Sequence, residues 1–111
     1  MTRPLLRPAA NLADLRKATR ELVDFETQGT INGAPYAVRV VNISPLGLMA
    51  RTDEDIRKGD RLIVELPHLS SITAIVRWVE DGRIGTEFVR PINDRDYAPM
   101  LAVMPRRLTA W

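Results

Sequence analysis

The chain has 111 residues, 45% of them apolar and 27% charged, the proportions of one ordinary globular domain. It has no cysteine, which excludes disulfides, thiolate catalysis and Cys-based zinc sites; no apolar run reaches the roughly 18 residues of a membrane helix, and residues 1–10 lack the apolar stretch of a secretory signal, so a cytoplasmic location without membrane insertion is expected. The formal charge is +2, but residues 1–20 hold five basic side chains against Asp14, while the remainder holds 11 basic and 13 acidic ones; such a basic head suits either an anion-binding arm or a solubilising tail.

Residues 1–10, with two prolines and little pattern, read as part of a mobile arm over 1–15. Leu12, Leu15 and Leu22 recur at helical spacing behind Asn11, a possible cap, and fit a short helix or a linker that orders on binding. From Glu21 the period changes to two: Val23, Phe25 and Thr27 alternate with Asp24, Glu26 and Gln28. Asn32-Gly33 is a hairpin signal, since both residues tolerate positive φ. Further strands are expected over 37–43, 48–50, 61–66, 72–79 and 83–89, separated by Pro45/Gly47, Lys58-Gly59-Asp60, Pro67 and Asp81-Gly82. Ile72, Ala74, Val76 and Trp78 share one face of the fifth; Ile84, Thr86 and Phe88 share one face of the sixth.

Six short strands with turn signals about every ten residues indicate a sandwich or a closed barrel, and closure removes the exposed edges of so small a sheet. A helix is expected over about 93–104, capped by Asn93 or Asp94 and presenting Tyr97, Met100, Leu101 and Met104; Pro99 argues for a late start or a break within it. Residues 105–111 read as a loose tail.

Two motifs stand out: Arg16-x-x-x-Arg20 before the first strand, and Asn42-x-Ser44-x-x-Gly47 at the end of the second. Each alone is common. Arg16 and Arg20 are compatible with the solvent face of a helix, and Asn42, Ser44 and Gly47 with a plain turn. In this order across a hairpin, and followed by Trp78 and the Gly85-Thr86-Glu87-Phe88 strand, they resemble the PilZ domain family over residues 16–104. The resemblance implies an all-β, six-stranded antiparallel β-barrel over about 21–90 with a mobile N-terminal arm and a short C-terminal helix, in a stand-alone domain. It also implies a receptor for cyclic di-GMP, with Arg16, Arg20, Asn42, Ser44 and Gly47 as the ligand-binding residues. Leu15 stands where many members carry another basic residue, a position linked to how many ligand molecules bind.

The residue chemistry agrees with that implication. Cyclic di-GMP is a dianion with two guanines. A guanidinium grips phosphate oxygens or the guanine O6/N7 edge in bidentate fashion and stacks on purines. The Asn42 amide both donates and accepts, the Ser44 hydroxyl donates, and Gly47 gives an unhindered backbone. Trp78, Phe25 and Phe88 read as core, His68 as a lone loop residue, and Asp53, Glu54 and Asp55 as a solvated turn. There is no nucleophile–base pair, metal cluster or Gly-rich phosphate loop, so an enzyme is not expected, and neither a metal nor a cofactor. The expected activity is that of a receptor whose arm orders on ligand binding and relays the signal to an unidentified effector protein controlling motility, exopolysaccharide or adhesion. The alternative is a PilZ-type protein–protein adaptor that does not bind the nucleotide. A nucleic acid polymer is not an expected partner, because the body is faintly acidic and its aromatics read as core. A monomer or weak dimer is expected.

Overall fold

The computed structural model describes residues 19–106, which form β1 (Glu21–Ile31), β2 (Ala34–Ser44), β3 (Gly47–Arg51), β4 (Arg61–Leu66), β5 (Ser70–Glu80), β6 (Arg83–Phe88) and a helix α1 (Asp94–Ala102). The arm expected over 1–15, the helix behind Asn11 as far as residue 18, Arg16, and residues 107–111 lie outside the described residues. Every pairing is antiparallel, and the sheet closes in the order β1-β2-β3-β6-β5-β4. The expected six-stranded barrel with a C-terminal helix is the observed fold. No helix among the described residues is long and apolar enough to cross a membrane.

Local chemistry sets the turns. Asn32 and Gly33 take φ of 52° and 83°, and Asp81 and Gly82 take 52° and 75°, the left-handed values of tight hairpins whose twist matches that of the flanking strands. β4 alternates buried and exposed residues along its whole length, placing Leu62, Val64 and Leu66 inside. With Val38, Val40, Ile43, Leu48, Ala50, Val76, Ile84 and Phe88 they fill the barrel, and Ile56, Ile92, Met100 and Met104 join the same cluster. Each such side chain contributes about 1.5–3 kcal/mol by leaving water. The buried Thr86 hydroxyl is satisfied, donating to Leu48 O (3.0 Å) and accepting from Leu48 N–H (3.3 Å).

The register shifts in three strands, in β1 between Leu22 and Phe25, in β2 and in β5, and the bulges in β2 and β5 decide what the outer wall displays. In β2, Val40 pairs with Ala50 but Asn42 pairs with Met49, so Val41 is one residue too many. In β5, Val76 pairs with Thr86 but Trp78 pairs with Gly85, so Arg77 is the extra residue. An inserted residue reverses which face the following side chains take. Trp78, expected with Ile72, Ala74 and Val76 on the core face, therefore turns outward and is 41% exposed. Phe88 is buried as expected, and Phe25 is half-buried against the core.

The Asn93 side chain accepts from Asp96 N–H (3.0 Å), and Asp94 and Asp96 in the first turn favour the positive end of the helix dipole. The helix neither starts late nor breaks at Pro99. It runs through that residue to Ala102, because a proline in the second turn removes only one backbone donor while Met100 and Tyr97 anchor the same segment to the barrel. Tyr97 donates its hydroxyl to Ile43 O (3.2 Å). Beyond the helix, Pro105 O accepts from Asp24 N–H (2.8 Å) and Arg106 bridges to Val23. The Arg106 guanidinium donates to Leu22 O (3.2 Å) and to Glu21 (2.7 Å). Residues 105 and 106 of the expected tail are thus fastened to the start of β1.

The Tyr97 hydroxyl is pushed up to about 12, chiefly by burial and then by the Glu21 carboxylate, with Arg106 opposing. Its folded value lies above its unfolded one, so the stability held by the neutral phenol is complete below about pH 10 and lost as pH rises through the folded value. Urea unfolding of the wild type should show its midpoint falling between pH 10 and 12. Tyr97→Phe should be about 1 kcal/mol less stable at pH 8, from the lost hydrogen bond, and should fall less steeply above pH 10.

Candidate functional site

The bulge at Val41 gives Asn42 to the outer wall. Val38, Val40 and Ile43 face the core, and unbroken alternation from Val38 and Val40 would carry Asn42 in with them. With the extra residue, Asn42 lies half-buried in an outward row that crosses five strands: Leu22, Asn42, Met49, Gly85 and Trp78 are successive register partners on β1, β2, β3, β6 and β5. A Cβ on Gly85 would overlap the Trp78 indole, so the ring lies flat over the glycine and leans toward β3. Along the sheet, Asn42 and Trp78 are three strand spacings apart, about 14 Å.

Arg20 stands immediately before β1 and is exposed, and its Nη1 donates to Asn42 Oδ1 (3.0 Å). The structure therefore joins one residue of each sequence motif. Asn42 keeps both amide hydrogens for other acceptors, and Arg20 keeps the rest of its donor fork. Ser44 lies two residues along β2, on the same face, but is only 1% exposed, and its Oγ accepts from Leu46 N–H (3.1 Å). It acts as the turn-builder of the β2–β3 hairpin. Gly47 does not adopt positive φ; it is buried, and a Cβ there would overlap the Thr86 carbonyl oxygen of β6. Close approach of two strands, rather than a left-handed turn, is what requires glycine at this position. The hairpin is held from the other side by Phe88 N–H to Leu46 O and Ile92 N–H to Pro45 O, both 2.8 Å. Arg16, the remaining motif residue, is outside the described region.

The family described as PilZ domain matches residues 14–102 of the 111. The chain belongs to the PilZ domain family. Members of this family are known for binding cyclic di-GMP and are in general receptors without catalysis. No curated protein matches the chain. Within the PilZ barrel, Arg20, Asn42 and the turn of Ser44 to Gly47 occupy one end of the outer row, and Trp78 the other.

Trp78 and Met49 are wall residues that the sequence motifs missed. The run of Ile72, Ala74, Val76 and Trp78 has a perfect two-residue period, which hides the bulge at Arg77. The available signal was Gly85, since a glycine inside a strand often marks the close approach of another group, and here that group is the indole.

Two outcomes follow. Trp78→Ala should cost only about 1–2 kcal/mol in chemical unfolding, well under the roughly 3–5 kcal/mol of a fully buried ring. Gly47→Ala should cost about 3 kcal/mol, because the obstacle is main chain that cannot yield locally. A thermal midpoint for Gly47→Ala equal to that of wild type would contradict the close approach.

Proposed function

We propose that this PilZ domain is a cyclic di-GMP receptor, and the observation that carries the reading is the Arg20–Asn42 hydrogen bond. It brings a guanidinium and a free amide NH2 to one spot on the outer wall, the donor set a guanine edge or a phosphate requires. Arg20 binds a phosphate or the O6/N7 edge, with Arg16, four residues earlier in the same arm, as its partner. Asn42 donates to guanine. Ser44 and Gly47 support this contact by holding the β2–β3 turn, and the Ser44 hydroxyl keeps its own proton to donate. Trp78, half-exposed and flat against Gly85, offers the second surface a dinucleotide needs, an indole face on which a purine stacks.

On this reading the arm that carries Arg16 and Arg20 closes over the ligand. Fixing it costs about 1–2 kcal/mol per residue, offset by charge-assisted hydrogen bonds of about 1.5–3 kcal/mol each. The ordered arm is then the new surface that an effector protein recognises, an order–disorder switch.

Calorimetric titration with cyclic di-GMP, with GTP and cyclic di-AMP as controls, tests the reading. Selective binding at micromolar concentrations or tighter is expected, abolished in Arg20→Ala and weakened at least tenfold in Asn42→Ala, with both variants unfolding at the wild-type temperature. Wild-type protein that gives neither heat nor thermal stabilisation with cyclic di-GMP would favour the nucleotide-independent adaptor.

A further inference from the structure

Next to the row that carries Asn42 and Trp78 runs a second outward row with an unusual order of charges. Glu26, Arg39, Arg51, Arg83 and Glu80 are successive register partners on β1, β2, β3, β6 and β5. Ala50 and Ile84, the neighbours of Arg51 and Arg83 along their strands, are fully buried, so the two arginines point outward. Arg39 forms ion pairs with Asp24 and Glu26. Arg51 and Arg83 are register partners in the middle of the row, with Arg39 on one side of the pair and Glu80 on the other. Like charges placed directly opposite on neighbouring strands work against the sheet.

The pair is well placed for a ligand on the first row. Arg51 and Arg83 lie two residues, about 7 Å, along their strands from Met49 and Gly85, the part of the wall that the Trp78 indole overlies. On the other side of the pair an open groove of about 1120 Å³ begins at Arg39 and Arg51, and Asp53, Glu54 and Asp81 line it. Those carboxylates repel an anion from the groove and leave the strip between the two arginines and Trp78 as the place where negative charge is stabilised.

We infer that Arg51 and Arg83 form a second anion contact, taking the phosphate on the side of the cyclic dinucleotide away from the one held by Arg20. The inference rests on the receptor reading above. A ligand whose base stacks on Trp78 then lies between two basic contacts, one from the arm and one from the barrel itself.

The test is titration of cyclic di-GMP into wild type, Arg51→Gln, Arg83→Gln, the double variant and Arg20→Ala, at two salt concentrations, with thermal unfolding of each. Each glutamine should weaken binding about tenfold. The double variant should weaken it further and show a shallower salt dependence, while Arg83→Lys, which keeps the charge, should retain most of the affinity. If both glutamine variants bind as wild type does while Arg20→Ala does not bind, the second contact is overturned and the receptor reading stands. If wild type itself does not bind, both fall.

Discussion

Strand alternation allows a six-stranded barrel little choice: the side chains that fill its core fix those on its wall. This barrel departs from the rule in β1, between Leu22 and Phe25, and through one extra residue in β2 and one in β5. Without the bulge at Val41, the phase that sets Val38 and Val40 inside would set Asn42 inside as well and turn Ile43 to solvent. The amide would then be buried without a partner, at a cost of about 1–3 kcal/mol, and the barrel would lose one of its largest fully buried side chains. The bulge keeps all three apolar residues in the core and delivers the amide to Arg20. Without Arg77 as a bulge, the indole of Trp78 would have to enter an interior already filled by Ile84, Leu48 and Phe88, and Gly85 would lose the ring that covers it.

The strands were legible because most of the chain obeys simple periodicity. Residues 61–66 alternate without a fault and form β4 at those bounds; Asn32-Gly33 and Asp81-Gly82 turn as their φ tolerance implies. The bulges were legible only in part. In β2 the apolar positions slip from Val38 and Val40 to Ile43, an odd spacing that no regular strand accommodates. In β5 the same slip is masked, because Trp78 is as apolar as the core residues before it. Pro99 misled for a different reason. The rule against proline in a helix interior is an energetic tendency, and one lost hydrogen bond is smaller than what the buried Met100 and the Tyr97–Ile43 contact return. The anchoring of Pro105 and Arg106 on β1 left no trace in the local sequence, since it joins residues more than eighty positions apart.

The motif residues among those described divide into two kinds by burial. Arg20 and Asn42 are reachable from solvent and bonded to each other; Ser44 and Gly47 are buried and bonded to the fold. The β2–β3 turn is gripped by Ser44 from within and by the Phe88 and Ile92 amides from β6 and the segment after it. Gly47 lets β6 come close enough for that grip. A change at Ser44 or Gly47 therefore acts on Asn42 through the backbone; on the proposed receptor reading, loss of binding in such a variant would report on geometry, whereas loss in an Arg20 or Asn42 variant would report on contact.

The choice of asparagine at position 42 has its own electrostatic consequence. An aspartate there would hold Arg20 more firmly, as an ion pair, but it would also cancel much of the positive potential that a phosphate would meet on the proposed receptor reading. Asn42 holds the guanidinium through a neutral carbonyl oxygen at 3.0 Å and leaves its charge whole. The Arg20–Asn42 contact is a single hydrogen bond from a charged donor at an exposed position, where water competes for both partners, so Arg20 is set in position without being locked there. On the receptor reading proposed above, that balance suits an arm that first attracts an anion and then moves onto it.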